Sequence, residues 1–229
     1  MNKKKINLQP IVLLPARERV ASVLRKAIIS QDIKSGVQLT LDSVAEQLGV
    51  SITPVREAFQ MLENEGLLEH SMNKGATVKG ITPRNVMEHF QIRAALESEA
   101  VSIVCASGVD LTDIRSIVDQ AQKVIDNKDY DAYSNLNQAF HIAIWNASNN
   151  MKLKNMLSVM WNGLAMRYME TVAEYAIKSH SEHKGIIEAM EKGDVVTAKT
   201  LMHNHIERSM KDMLTNLENN ADDMQKEHS

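Results

Sequence analysis

Asn137 and His141 stand four residues apart, so on a helix they lie one above the other on a single face and can share a ligand. His183 opens a further apolar segment, and His205 falls on the stripe of Ala198, Leu201, Met202 and Ser209, while His203 faces elsewhere. A buried imidazole has two ring nitrogens, and both need partners. Three inward histidines from three helices therefore require either separate hydrogen-bond partners or one divalent ion that takes a nitrogen from each.

A second group of residues suits a nucleic-acid groove. Leu41, Val44, Ala45 and Leu48 recur at helical spacing, Gly49 can close that helix in a left-handed cap, and Ser51 can N-cap the next one, which tolerates Pro54 in its first turn. The second helix buries Val55, Ala58, Phe59 and Leu62, which turns Ser51, Thr53 and Arg56 outward. Leu67 to Glu69 and Ala76 to Val78 are short strand candidates around a hairpin tip, Asn73, Lys74 and Gly75. A helix with the stripe Val20, Val23, Leu24, Ala27 and Ile28 precedes them. Residues 15–79 thus read as a winged helix-turn-helix, against the plainer alternative of a helical hairpin.

The elements that must carry the histidines follow Gly80, Ile81, Thr82 and Pro83, where Thr82 can N-cap and Pro83 can begin a helix. Helical periodicity covers roughly 83–106, 110–127, 129–148, 150–177, 179–192 and 194–217, with one break expected around Ser179. The predicted fold class is mainly α: an N-terminal winged helix-turn-helix and a C-terminal all-α antiparallel helical bundle. Its parts are a loose arm (1–14), the winged domain (15–80), the helical domain (81–217) and a frayed polar tail (218–229).

Composition fits a cytoplasmic regulator: 44% hydrophobic and 24% charged residues, no apolar run of membrane length, and an N-terminal apolar stretch too short for a secretory leader. Residues 1–80 hold 11 Lys and Arg against 8 Asp and Glu, a net +3, and the remainder is −6 within a total of −3. So weak an excess makes placed groups, doubled in a dimer, matter more than bulk attraction to DNA. The single cysteine, Cys105, cannot form an internal disulfide and reads as core.

On these motifs residues 17–79 resemble the DNA-binding domain of the GntR family of bacterial transcription regulators. Arg25-Lys26-Ala27-Ile28, Gly36, Gly49 to Ala58, Glu65-Gly66-Leu67 and Asn73-Lys74-Gly75 carry the likeness. It departs at Ile52, where the family commonly has arginine, so a different operator preference is expected. Residues 84–217 resemble the FCD ligand-binding domain of the FadR-type branch, in its shorter, VanR-like form. Arg93 with Leu96-Glu97, Phe140-His141, Glu182-His183, Gly193-Asp194 and Met202 with His205 match it. That resemblance implies a divalent metal on an aspartate and three histidines, whose matching positions here are Asn137, His141, His183 and His205.

Asn137 replaces a carboxylate by an amide, which weakens the hold on hard ions and makes zinc or nickel the expected metal over manganese. The uncompensated charge favours an anionic effector. Arg93 and Arg167 are the candidates to grip its carboxylate, against an internal Arg93–Glu97 pair and a surface position for Arg167. The chain is thereby expected to be a homodimeric regulator, a repressor, that binds an inverted-repeat DNA operator and senses a small organic acid. The rival is a metallohydrolase with Glu97 or Glu182 as base, and a third reading is an architectural DNA-binding protein with an inert bundle.

Overall fold

In the N-terminal part, α1 (Ala16–Ile29) buries Val20, Ala21, Leu24, Ile28 and Ile29. Val23, expected on that stripe, is 51% exposed, because Ala21 and Leu24 centre the buried arc one step away from it. The short strand β1 (Gln38–Thr40) leads into α2 (Leu41–Leu48), where the Thr40 hydroxyl accepts the Ser43 amide at 3.2 Å. Gly49 ends α2 at φ 62°, a left-handed conformation in which its amide reaches the carbonyls of Ala45 and Glu46. Next comes α3 (Ile52–Asn64), which packs Val55, Ala58, Phe59 and Leu62 inward against α1. Ser51 occupies its N-cap position with extended backbone, but its hydroxyl makes no cap hydrogen bond.

The wing is β2 (Leu68–Ser71) paired with β3 (Gly75–Val78), and β1 adds antiparallel to the far side of β3, giving the order β1-β3-β2. Leu68 faces Val78 and Gln38 faces Thr77 across the two ladders. β1 has no counterpart in the sequence reading: three residues are too few for alternation to register. Arg25 of α1 clamps the end of α3, donating from Nε and Nη2 to the two Glu65 oxygens at 2.7 and 2.5 Å. The chain divides into two compact units between Gly80 and Ile81. This computed structural model describes residues 15–29, 32–71, 75–161 and 172–226, so the arm 1–14, Asn73, Lys74 and Arg167 lie outside the described residues.

The second unit contains α4 (Pro83–Ser107), α5 (Thr112–Asp126), α6 (Tyr130–Ala147), α7 (Met151–Trp161), α8 (Val172–Glu191) and α9 (Val195–Lys226). A capping box starts α4: the Thr82 hydroxyl accepts the Asn85 amide, the Asn85 side chain accepts the Thr82 amide, and Pro83 sits in the first turn. α4 packs chiefly on α9, α5 on α6 and α8, and α8 on α9. Phe140, Ile144, Trp145, Leu157, Ile186, Ile187, Met202 and Ile206 fill the core, all at 1% exposure or less.

Two boundaries differ from expectation. Ser179 does not break a helix; it lies inside α8, fully buried, donating to Asn137 Oδ1 at 3.3 Å. A small hydroxyl taken for a stop is accommodated because it has a polar partner across the core. The polar stretch from Glu218 is helical as far as Lys226, since Glu, Asn, Asp, Met, Gln and Lys there include no Pro or Gly to stop α9.

Gly75 is a residue for which only absence of a side chain fits: a Cβ there would stand 2.1 Å from the Leu39 carbonyl oxygen. Gly75→Ala is therefore expected to destabilise the first unit by roughly 1–3 kcal/mol through forced displacement of β1. Differential scanning calorimetry should show that transition lowered with the second unit's transition unmoved.

Candidate metal centre and nucleic-acid interface

His141 comes from the middle of α6, His183 from α8 and His205 from α9, each 2% exposed or less. Their Nε2 atoms converge: His183 to His205 is 3.3 Å, and His205 to His141 is 3.3 Å. His141 Nδ1 lies 3.1 Å from Glu97 Oε2, and His205 Nδ1 lies 2.6 Å from Glu182 Oε2. A carboxylate at Nδ1 fixes the proton there and leaves Nε2 as a bare lone pair aimed at the centre. The Phe140 ring stacks on His183 at 3.9 Å between centroids and limits its rotation. Bare lone pairs facing one another repel, and a cation between them removes that repulsion. Two nitrogens bound at about 2.0–2.1 Å to a tetrahedral ion are about 3.3 Å apart. The residues therefore fit a divalent ion, and they are the one such cluster among the described residues.

Electrostatics hold the ligands neutral. Burial pushes His205 down to about 4 against the opposing pull of Glu182, and burial together with the neighbouring imidazoles drives His183 well below its ordinary value. Glu97, with no exposed surface, would be raised by burial, yet His141, Arg93 and Trp145 hold it at about 2. Arg93 donates from Nε and Nη2 to Glu97 Oε1 at 3.2 and 3.1 Å, and Trp145 Nε1 donates to Oε2 at 2.7 Å. The Arg93 guanidinium also lies 4.4 Å from the Trp161 ring centre. Burial likewise opposes ionisation of Glu182, but His205 and Arg208 keep it low. Arg208 grips Glu182 with Nε and Nη2 at 2.7 Å each and reaches Asp212 with Nη1 at 2.5 Å.

The three histidines of the sequence reading are thus brought together. Asn137 is buried one turn before His141 and accepts from Ser179. Arg93 is placed in the internal pair with Glu97, the plainer of its two expected settings. Trp145, Arg208 and the positioning roles of Glu97 and Glu182 escaped sequence reasoning. The spacing Arg93–Glu97 and His205–Arg208 was the available signal, since residues three or four apart share a helix face. Of the two carboxylates named as candidate bases, Glu97 has both oxygens fully engaged and Glu182 is held ionised by His205 and Arg208, so each is a weak proton acceptor.

In the first unit, Ser51, Ile52, Thr53, Arg56 and Gln60 are all exposed on α3, opposite its buried face. Arg56, Gln60, Asp42 and His70 line a cleft beside the wing. Gly75 is buried at the start of β3. A recognition helix offering its first turn and a flanking hairpin is the geometry of a major-groove reader.

Glu97→Gln removes the anionic acceptor that fixes the His141 tautomer, so zinc affinity is expected to fall about 10–100-fold. Competition against a chromophoric chelator measures it. Acidification gives a second expectation. Folded His205 titrates near 4 and the unfolded chain at the ordinary 6.5, so the unfolded state binds more protons between these values and stability falls as pH falls through that window. Thermal melts of chelator-treated protein should be level above pH 6.5 and decline below it.

Comparison with known proteins agrees with both units. The model for bacterial regulatory proteins of the gntR family matches residues 16–78, and the FCD domain model matches residues 88–208. The chain is 31% identical over 182 residues to the uncharacterized HTH-type transcriptional regulator YdhC of Bacillus subtilis (strain 168), covering 77% of this chain and 81% of that one. It is also 31% identical over 148 residues to the gluconate operon transcriptional repressor of Bacillus licheniformis, covering 64% and 59%. Escherichia coli McbR/YncC has the same fold, with a TM-score of 0.67 at 24% identity over 90% of this chain and all of that one. The described residues include no helix long and apolar enough to cross a membrane. The chain belongs to the GntR family of bacterial transcription regulators, which bind DNA operators and are not enzymes, in the group that carries an FCD domain.

Proposed function

We propose that this protein is a cytoplasmic, homodimeric transcriptional repressor whose helical unit senses a small carboxylate metabolite at a divalent ion held by His141, His183 and His205. The observation that carries the reading is the convergence of three Nε2 lone pairs, two of them fixed by carboxylates at Nδ1. Zinc or nickel suits it better than manganese, because imidazoles favour both and Asn137 offers only a neutral oxygen already engaged by Ser179. The 3.3 Å spacing, that of a tetrahedral ion, further favours zinc. The chemistry such an ion supplies is Lewis-acid attraction for an anionic effector. Arg93 and Arg167 are the proposed partners of the effector's carboxylate, Arg93 with the guanidinium edge it does not commit to Glu97.

Operator binding is assigned to Ser51 at the N-cap of α3, to Thr53 and Arg56 on it, and to Asn73 and Lys74 of the hairpin. Gly75, expected to join them, is buried against Leu39 and is assigned the shaping of the hairpin instead. Repression follows the sense of the gluconate operon repressor among the relatives. Ile92 on α4 and Met156 and Val159 on α7 are each more than half exposed on two helices that pack together, and a second copy covering them supports a two-fold dimer. The effector acts by binding one arrangement of the paired DNA-reading heads more tightly than another, since only differential affinity shifts an equilibrium.

The test is a thermal-shift screen of organic acids on protein of measured metal content, repeated with His183→Ala. The variant is expected to lose metal and effector response together while retaining DNA binding, and Asn137→Asp is expected to raise manganese affinity relative to zinc. Wild-type protein that stays metal-free after incubation with zinc and nickel, yet still responds to an acid, would overturn the metal reading. Sedimentation of a monomer at micromolar concentration would overturn the dimer.

A further inference from the structure

Ile52 lies outside the buried core. It opens α3 at 39% exposure, while the inward face of that helix is already supplied by Val55, Ala58, Phe59 and Leu62, each at 4% or less. A β-branched residue gains nothing from the helix either, since its χ1 freedom is restricted there. Its neighbours on the exposed arc are polar: Ser51, Thr53, Arg56 and Gln60. Ile52, Arg56 and Gln60 follow at four-residue intervals, so they form one line along the helix, and all three edge the cleft that Leu41 and Asp42 help to wall.

The first turn of a recognition helix is the part that meets base edges in the major groove. Of the groups displayed there on unmodified DNA, the thymine C5-methyl is the apolar one. We propose that Ile52 is a specificity-determining residue that packs against a thymine methyl in each half-site. Arg56, one turn further on, is the donor for a guanine edge. Four residues of helix advance about 6 Å and base pairs succeed one another at about 3.4 Å, which puts thymine and guanine about two steps apart. The inference rests on α3 being the DNA-reading element, and the Arg56 variant below separates the two.

Full-length protein is used to select duplexes from a random library, and the preferred duplex is remade with deoxyuridine replacing one thymine at a time. Removing a buried methyl is expected to weaken wild-type binding about four-fold at one thymine per half-site, and roughly fifteen-fold when both half-sites are changed. Fluorescence anisotropy reads these ratios. Ile52→Ala should bind the thymine and deoxyuridine duplexes equally, and Ile52→Arg should select another base at that position while leaving the rest of the site unchanged. If no deoxyuridine weakens wild-type binding while Arg56→Ala does, the Ile52 inference fails and the recognition face stands. If Arg56→Ala also binds as well as wild type, the assignment of α3 as the reader fails with it.

Discussion

The buried carboxylate of Glu97 is the interaction on which the helical unit depends. An ionised group with no exposed surface is costly unless every lone pair is used, and here Arg93, His141 and Trp145 use them. Two of those partners are on α6 and one is on α4 with Glu97 itself, so satisfying the charge fixes the rotation of α6 against α4. That rotation is what brings His141 Nε2 to within 3.3 Å of His205 Nε2. Glu182 repeats the device on the other side: Arg208 and His205, both on α9, meet its oxygens from α8. The histidine cluster is thus the meeting point of two neutralised carboxylate networks, each made of groups that would be expensive to leave unpaired.

The first unit is held by a simpler version of the same rule. Arg25 is 3% exposed and its fork is closed by Glu65, forty residues later, at the end of α3. Two sequence motifs that looked independent, Arg25 to Ile28 and Glu65 to Leu67, are the halves of this pair. By setting where α3 ends relative to α1, it also sets which residues of the first turn of α3 are left outward. Ile52, Thr53 and Arg56 are therefore displayed by a core that they do not belong to.

How much was legible follows from what periodicity can carry. Long helices with local caps were readable, as Thr82, Asn85 and Pro83 illustrate, because cap and helix lie within four residues of one another. The inward placement of His141, His183 and His205 was readable from apolar stripes. β1 was not, since its three residues owe their conformation to pairing with β3 rather than to their own pattern. Ser179 was misread because its partner, Asn137, is forty-two residues away. The same holds for Trp145 and Glu97: a lone pair filled from another helix leaves no mark on local sequence.

Charge arithmetic connects these networks to what the site can take. Glu97 is neutralised by Arg93, and Glu182 by Arg208, which is itself shared with Asp212. The histidines are neutral at physiological pH, since burial lowers each of them. Asn137 contributes no charge. On the proposed reading, these three carboxylates and two guanidiniums leave one net negative charge, so a divalent ion at the three Nε2 atoms keeps part of its charge uncompensated inside a region of low dielectric, where such a charge is least tolerable. With an aspartate at position 137 the protein would supply part of that compensation itself. With asparagine there, the proposed anionic effector supplies that compensation instead, which ties effector binding to metal occupancy more tightly than a carboxylate at 137 would.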